Sequence, residues 1–325
     1  MARRTIRTGL TGGTRGLGKA QTLRVGRRAV AVSSLDKVLF PDIGLTKGDL
    51  IAYYHEAAHL ILPHLADRPL VMHRFPDGIE GQGFFQKEVS DYFPDWIERV
   101  TVRKEGGTVT HAVCSDQASL VYLVNQNMIT PHVWLSRTDK LHHPDRLVFD
   151  LDPSGLDFEP VREGARAFRD LLRELGLDSY LMTTGGRGLH VVTPLDRKAE
   201  FKTVRGFARA VADLLAARDP RRFTTESRKE QRKGRVFLDY LRNGYAQTVV
   251  APFGVRARPG GPVAMPIPWE QLDEHDLRGD RYRVRNVVGD LARAQDPWKG
   301  IGRKGHSLVA ARKRLDRLTA QGRPR

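Results

Sequence analysis

The chain has 325 residues, enough for one large domain or two small ones with a real core. Its single cysteine, Cys114, excludes a disulfide framework and a cysteine-rich zinc site. No apolar run reaches the ~18 residues that span a bilayer, and the N-terminus lacks a secretory leader pattern, which fits a cytoplasmic protein. The net charge of +16 is concentrated at the ends: residues 1–30 hold eight Lys/Arg and no acid, residues 299–325 hold nine and one acid, and 37 basic and 37 acidic residues lie between. The body is formally neutral, and the two ends read either as salt-sensitive phosphate-binding arms or as solubilising ones.

Residues 1–22 are rich in Gly, Thr and Arg and read as a basic disordered arm. Their GGTRGLG run, Gly12 to Gly18, superficially matches a dinucleotide loop, but no apolar strand precedes it and no apolar helix follows. Leu23 to Val32 reads as a hairpin turning near Gly26. Thr46 opens a helix through a capping box with Asp49, followed by an apolar face of Ile51, Tyr54, Ala58, Leu60 and Ile61, with Pro63 near its end. Strands are expected over 68–75, 100–103 and 108–113, then a helix over 115–127 capped by Ser115. A strand over 146–151 precedes a helix over 161–174 that Gly176 ends. Strands over 179–183 and 189–193 flank a glycine turn. A helix over 201–217, strands over 235–241 and 248–251, a glycine-bounded linker over 300–305 and an amphipathic basic helix over 307–318 complete the pattern. Strands and helices mix without regular alternation, so the expected class is α+β. The expected division is the 1–22 arm, one compact unit over 23–299, and a basic helix and tail over 300–325.

The most unusual stretch is LVFDLDP, Leu147 to Pro153. On a strand, Asp150 and Asp152 share one face roughly 7 Å apart, and Leu147, Phe149 and Leu151 take the other. Two carboxylates ending an apolar strand repel each other and resist desolvation, and a divalent cation removes both problems. The alternative is a simple turn over Asp152–Gly155 with Asp150 as a cap. In TTGGRGLHVVTP, Gly185, Gly186 and Gly188 allow a tight turn whose N–H groups can face an anion, and Arg187 adds a fork-shaped cation. A purely structural hairpin fits the same glycines, and His190 on the following strand is equally compatible with a structural role. In GRVFLDYLRN, Asp239 sits mid-strand between apolar neighbours. It either pairs with Arg232, Arg235 or Arg242, or adds a third carboxylate to the metal set. Arg256 and Arg258, two residues apart, suit a triphosphate or an exposed edge. Strand acids, a glycine loop and several arginines together are what two-metal phosphoryl transfer requires.

These motifs resemble the archaeo-eukaryotic primase superfamily, and more narrowly the polymerase domain of bacterial ligase D and its stand-alone primase-polymerase relatives. The likeness runs from about Ser34 to Trp298 through LDKVLFP, GLTKGDLIAYY, RPLVMHRFPDG, GFFQK, LVFDLDP, GRGLHV, FLDYLRN and VRARPG in that order. The resemblance implies a primase-polymerase catalytic core of antiparallel and mixed sheets flanked by helices. It implies that Asp150, Asp152 and Asp239 hold two Mn2+ (or Mg2+) ions. Thr184, Gly185, Gly186, Arg187, His190, Arg232, Arg256, Arg258 and His73 would meet an incoming NTP or dNTP. Lys37 and Lys47 would hold a 5′-phosphate at a gap or break, and Phe84, Phe85 and His132 would meet DNA; a core place for the phenylalanines and solvation for the lysines are the plainer readings. The motif-two loop departs from the common Ser-Gly-x-Lys-Gly form but keeps a hydroxyl at Thr184 and a charge at Arg187. Ser34 stands where the family often has Asn.

The implied function is a template-directed nucleotidyltransferase that fills short gaps or extends broken DNA ends during repair, with ready ribonucleotide use. Rival readings are a primase that starts chains de novo, a non-catalytic DNA-end binding module, and a two-metal nuclease. The implied partners are DNA (gapped, nicked or broken, with a 5′-phosphate), and Ku with a separate DNA ligase if the pathway is end joining. The expected state is a nucleoid-associated monomer with no membrane contact, and the remaining length is read as holding no ligase or phosphoesterase module.

Overall fold

The computed structural model describes residues 21–155 and 157–321; the GGTRGLG run and most of the expected N-terminal arm lie outside them. The described chain falls into two compact units. The first holds residues up to Val133 with Val250–Val263 and Tyr282–Ala294; the second holds Trp134–Val249, Ala264–Arg281 and Gln295 onward.

In the first unit, the expected hairpin forms from Gln21–Val25 and Arg28–Val32, turning at Gly26, whose φ of +59° suits a residue without Cβ. Thr46 caps the helix Lys47–Glu56 as expected: its hydroxyl accepts from Asp49 N, and the Asp49 carboxylate accepts from Thr46 N. The helix breaks at Ala57, and a second helix, Ala58–Leu65, carries Pro63. The buried Tyr53 and Tyr54 hydroxyls donate to Phe253 O and Ile129 O, and Tyr54 also accepts from Val255 N. These bonds fix the 250–263 segment on the helix. In the unit's sheet, Leu70–Arg74 lies antiparallel between Phe84–Gln86 and Met128–Trp134. A separate hairpin pairs Arg99–Lys104 with Gly107–Ala112. The helix expected over 115–127 runs over Gln117–Asn125. Its cap is Asp116, which accepts from Ser119 N at 2.6 Å; Ser115 instead donates to Glu98. Cys114 is fully buried and burial pushes its thiol pKa up, so it is a core group and not a nucleophile.

The second unit is built on a six-stranded sheet in the order Phe223–Thr224, Val236–Asp239, Arg146–Asp152, Leu189–Pro194, Tyr180–Thr183, Pro266–Ile267. All neighbours run antiparallel except the first pair. Arg146–Asp152 is central, and its Leu147, Phe149 and Leu151 are fully buried. Helix Glu159–Glu174 covers that apolar side: Phe149 stacks on Phe168 at 4.2 Å, and a Cβ on Gly164 would lie 2.6 Å from the Leu151 side chain. Each such aromatic or Leu side chain contributes about 1.5–3 kcal/mol by leaving water. The sheet therefore has one face closed by a helix, and the alternation of the strand leaves Asp150 and Asp152 on the other. Helix Phe201–Arg218 also packs on this sheet.

The basic C-terminal segment is part of this unit. Helix Leu308–Gln321 buries Leu308, Ala311 and Leu315, and Arg314 donates to Leu175 O at the end of helix Glu159–Glu174, at 2.7 Å. Among the described residues no helix is long and apolar enough to cross a membrane.

Candidate active site

Sheet register builds the centre of the site. Asp150 pairs across one strand boundary with Asp239 and across the other with His190, so three candidate site residues stand in one row over three adjacent strands. Directly opposed residues have Cβ atoms about 4.5–5.5 Å apart. His190 Nε2 lies 3.5 Å from Asp150 Oδ1. Asp152, the next residue on that face, pairs with Phe237.

The acids are buried: Asp150 is 8% and Asp239 7% exposed. Burial first, and the neighbouring Asp150 charge second, push the Asp152 carboxyl above its ordinary value. Burial also raises Asp239, offset in part by the bond its carboxylate accepts from Leu241 N at 2.6 Å. Of the arginines considered as partners of Asp239, Arg242 is the one engaged, with Nε 3.7 Å from both Asp150 Oδ2 and Asp239 Oδ2. Arg235 instead donates to backbone carbonyls at Pro220, Gln231 and Arg232. Arg232 lies 4.1 Å over the Phe237 ring and donates to Ser227 O, while its buried Nε finds no hydrogen-bond acceptor among the described residues. An anionic ligand would satisfy that donor.

Among the described residues no three carboxylate, imidazole or thiol groups already converge as a metal site. The donor chemistry does fit a hard divalent cation: the ligands are all oxygen, two are directly opposed, and burial makes their charges costly.

The glycine turn follows directly. Gly188 presses on the strand, since a Cβ there would collide with Leu151 O. The Thr184 hydroxyl closes the turn. It donates to Gly188 O at 3.1 Å and accepts from Gly186 N and Gly188 N at 3.2 and 3.3 Å. Gly185 takes φ +62°, and Arg187 is the exposed residue of the turn.

Sequence reasoning missed two supporting residues. Asn243 is fully buried, accepts from Val148 N and donates to Val148 O, and so completes the edge of the central strand two residues before Asp150. Gly279 lies against the glycine turn. Asn243 ends a single 3-10 turn and Gly279 lies in a loop, and neither place gives a periodic signal.

The remaining expected residues lie in the first unit. His73 stacks on Phe85 at 4.1 Å with rings 10° apart, and His132 stands edge-on to both, at 6.1 and 5.4 Å. Burial first and Arg256 second lower the His73 pKa, which keeps its ring neutral at neutral pH. Arg258 is exposed on the same segment as Arg256. Phe84 and Phe85 are 44% and 55% exposed, which rules out a core role; Arg74 lies 5.4 Å over the Phe84 ring. Lys47 is 3% exposed, and burial, then Lys37, then Arg74, lower its pKa to about 8. The side chain of Lys37 pairs with Asp77 at 3.2 Å.

A family model described as the LigD primase-polymerase domain matches residues 46–298. The chain is 36% identical over 276 residues to a multifunctional non-homologous end joining protein LigD of Mycobacterium bovis, covering 82% of this chain and 36% of that protein. It is 33% identical over 268 residues to a bifunctional non-homologous end joining protein LigD of Bacillus subtilis, covering 82% and 43%. The chain thus spans well under half the length of these curated relatives. Among solved structures it is similar to the polymerase domain of Mycobacterium tuberculosis ligase D in complex with DNA, with a TM-score of 0.80, 33% identity, and coverage of 85% of this chain and 99% of that one.

Proposed function

The chain belongs to the LigD primase-polymerase domain family, a family of nucleotidyltransferases, and from that premise we propose that it fills short gaps and extends broken DNA ends in repair, taking ribonucleotides readily. The observation that carries this reading is the row of His190, Asp150 and Asp239 across three strands, with Asp152 one step along the same face. The family implies divalent metals and nucleotide substrates. Asp150, Asp152 and Asp239 are the residues that would hold two manganese or magnesium ions. When bound, such ions lower the pKa of a primer 3′-hydroxyl and neutralise charge on the departing pyrophosphate.

The protein's own groups prepare that chemistry. Sheet pairing fixes Asp150 against Asp239, so little reorganisation is needed. Arg242 holds the two carboxylates from one side. The turn held by Thr184 presents Arg187, and Arg232 offers its unsatisfied Nε; both are suited to phosphate oxygens. In the first unit, the buried ammonium of Lys47 beside Lys37 suits a dianionic 5′-phosphate, and the exposed faces of Phe84 and Phe85 suit unstacked bases. The partners of this reading are DNA ends and gaps, with Ku and a separate ligase completing an end-joining reaction.

Primer extension on a series of gap lengths tests the proposal, with and without a 5′-phosphate and with ribo- or deoxyribonucleotides, in manganese. Short phosphorylated gaps filled with ribonucleotides are the expected outcome. DNA binding without incorporation under any divalent metal would reject it in favour of an end-binding module.

A further inference from the structure

The segment 264–281 brackets the glycine turn at both of its ends. At its start, Thr183 N donates to Met265 O at 2.9 Å and Met265 N donates to the Thr183 hydroxyl at 3.1 Å, immediately before Thr184. Near its end, Gly279 lies so close to the turn that a Cβ would stand 2.7 Å from the Arg187 carbonyl carbon and 2.8 Å from Gly186 O and Gly188 N. These obstacles are backbone atoms, which cannot swing away as a flexible side chain could. The turn is packed at Gly188 too, where a Cβ would stand 2.2 Å from Leu151 O. A methyl group at 279 therefore has to displace the turn or the segment that carries it.

The segment itself is anchored. Arg162, buried on helix Glu159–Glu174, donates to three of its carbonyls: Leu272 O at 2.8 Å, His275 O at 3.1 Å and Leu277 O at 3.0 Å. Arg166, one turn along, pairs with Asp273 at 2.8 Å. Leu272 and Leu277 are fully buried, and Trp269 donates to Ser179 O. Three carbonyls held by one buried guanidinium cost far more to release than a surface contact. A displaced Gly279 would thus push the turn before it moved the segment.

We infer that Gly279, backed by the Arg162 anchor, is a positioning residue that sets the glycine turn, and with it the site of the nucleotide phosphates. The inference rests on the reading of that turn as the nucleotide-phosphate loop. A small displacement there acts on nucleotide geometry and leaves the DNA-contact residues of the first unit untouched.

The test compares the full chain with its Gly279→Ala and Arg187→Ala variants in manganese, measuring nucleotide KM, affinity for gapped DNA, melting temperature, and amide hydrogen exchange over 184–188. Gly279→Ala is expected to raise nucleotide KM about tenfold, the effect of about 1.4 kcal/mol. It is expected to quicken exchange at Gly186 and Gly188 and to leave DNA affinity unchanged. Unchanged KM and exchange, or a parallel loss of nucleotide and DNA binding with the melting temperature, would overturn the inference. If Gly279→Ala fails to fold, Arg166→Ala loosens the same segment from its exposed side, and an expected KM rise of roughly threefold replaces it; no rise there overturns the inference equally. Arg187→Ala separates the two levels. A KM that responds to Arg187→Ala but not to Gly279→Ala removes the positioning role alone. A KM that responds to neither, with exchange quickened in Gly279→Ala, removes the nucleotide reading and leaves the mechanical contact standing.

Discussion

Asp150 and Phe85 both sit on sheet strands, yet the two strands hold their residues by different means. Asp150 is on the central strand of six, paired on both sides and 8% exposed, so its neighbours are dictated by register. Phe85 is on a three-residue strand next to Leu70–Arg74 and 55% exposed, held mainly by stacking on His73. The first arrangement suits chemistry that tolerates little displacement; the second suits contacts that must adapt to varied DNA ends. Substitutions in the aspartate row should therefore act sharply and on turnover, and substitutions in the aromatic and lysine face should act gradually and on binding.

The largest effect is expected at Asp150. Asp150→Ala should lower primer extension by about 10³-fold or more, the order expected when a group acts in the transition state, with gapped-DNA affinity nearly unchanged. Manganese should raise the melting temperature of the parent protein and not of the variant. Residual activity within tenfold would break the contrast. Asn243→Ala comes next. It leaves Val148 N–H and C=O without their partner in a fully buried place, which costs about 2–3 kcal/mol and is readable by urea unfolding. A loss below about 0.5 kcal/mol would show that the central strand does not depend on it.

The aspartate row was legible in the sequence because strand alternation and apolar flanks are periodic signals. LVFDLDP showed which residues share a face, and the structure buries Leu147, Phe149 and Leu151, with Phe149 and Leu151 against the helix, as that alternation demands. What alternation cannot show is which strands are neighbours, so the pairing of Asp150 with both Asp239 and His190 emerged only from the fold. Strand Met128–Trp134 went unread because Pro131 in its middle argues against a strand; here the Pro131 carbonyl accepts from Ala251 N and so still serves the sheet. The cap at Asp116 was misplaced by one residue because Ser and Asp are equally good caps, and they are separated by tertiary bonding: Asp116 accepts from Ser119 N while Ser115 donates to Glu98. The C-terminal helix was visible from its amphipathic pattern, but where it docks, with Arg314 donating to Leu175 O, is a long-range relation no local pattern carries.

Lys47 sharpens the other side of the contrast. Its pKa is lowered from 10.5 to about 8, so the folded protein binds this proton less tightly than the unfolded chain. Stability should therefore rise between about pH 8 and 10.5 as the unfolded chain also loses the proton, and Lys47→Met should melt higher than the parent at neutral pH. On the proposed reading phosphate binding has the opposite sign, because the ammonium that would attract it is lost as pH rises through about 8. The preference for a 5′-phosphate should be full well below that pH and fade above it, and Lys47→Met should reduce it roughly tenfold. A preference flat across this range would remove Lys47 from phosphate recognition. Phe85→Ala should follow, costing about 1–2 kcal/mol of affinity for a single-stranded overhang, with little change on a blunt end.

The smallest effect is expected at Lys37, and its size decides whether the two lysines share the proposed phosphate contact. Its side chain is solvent-accessible and pairs with the exposed Asp77 at 3.2 Å, an ion pair that contributes about 0–1 kcal/mol. A phosphate arriving at Lys37 must compete with that carboxylate and with water, whereas at Lys47 burial has already removed much of the competing solvent. Lys37→Ala should therefore lower the 5′-phosphate preference only about twofold to threefold, an effect of less than about 1 kcal/mol, and that loss should shrink as salt is raised. Because Lys37 is the second cause of the lowered Lys47 pKa, the same substitution should move the Lys47 inflection upward. Asp77→Asn, which frees Lys37, should strengthen the preference. If Lys37→Ala proved as damaging as Lys47→Met, or Asp77→Asn weakened binding, the exposed lysine and not the buried one would be the principal phosphate contact.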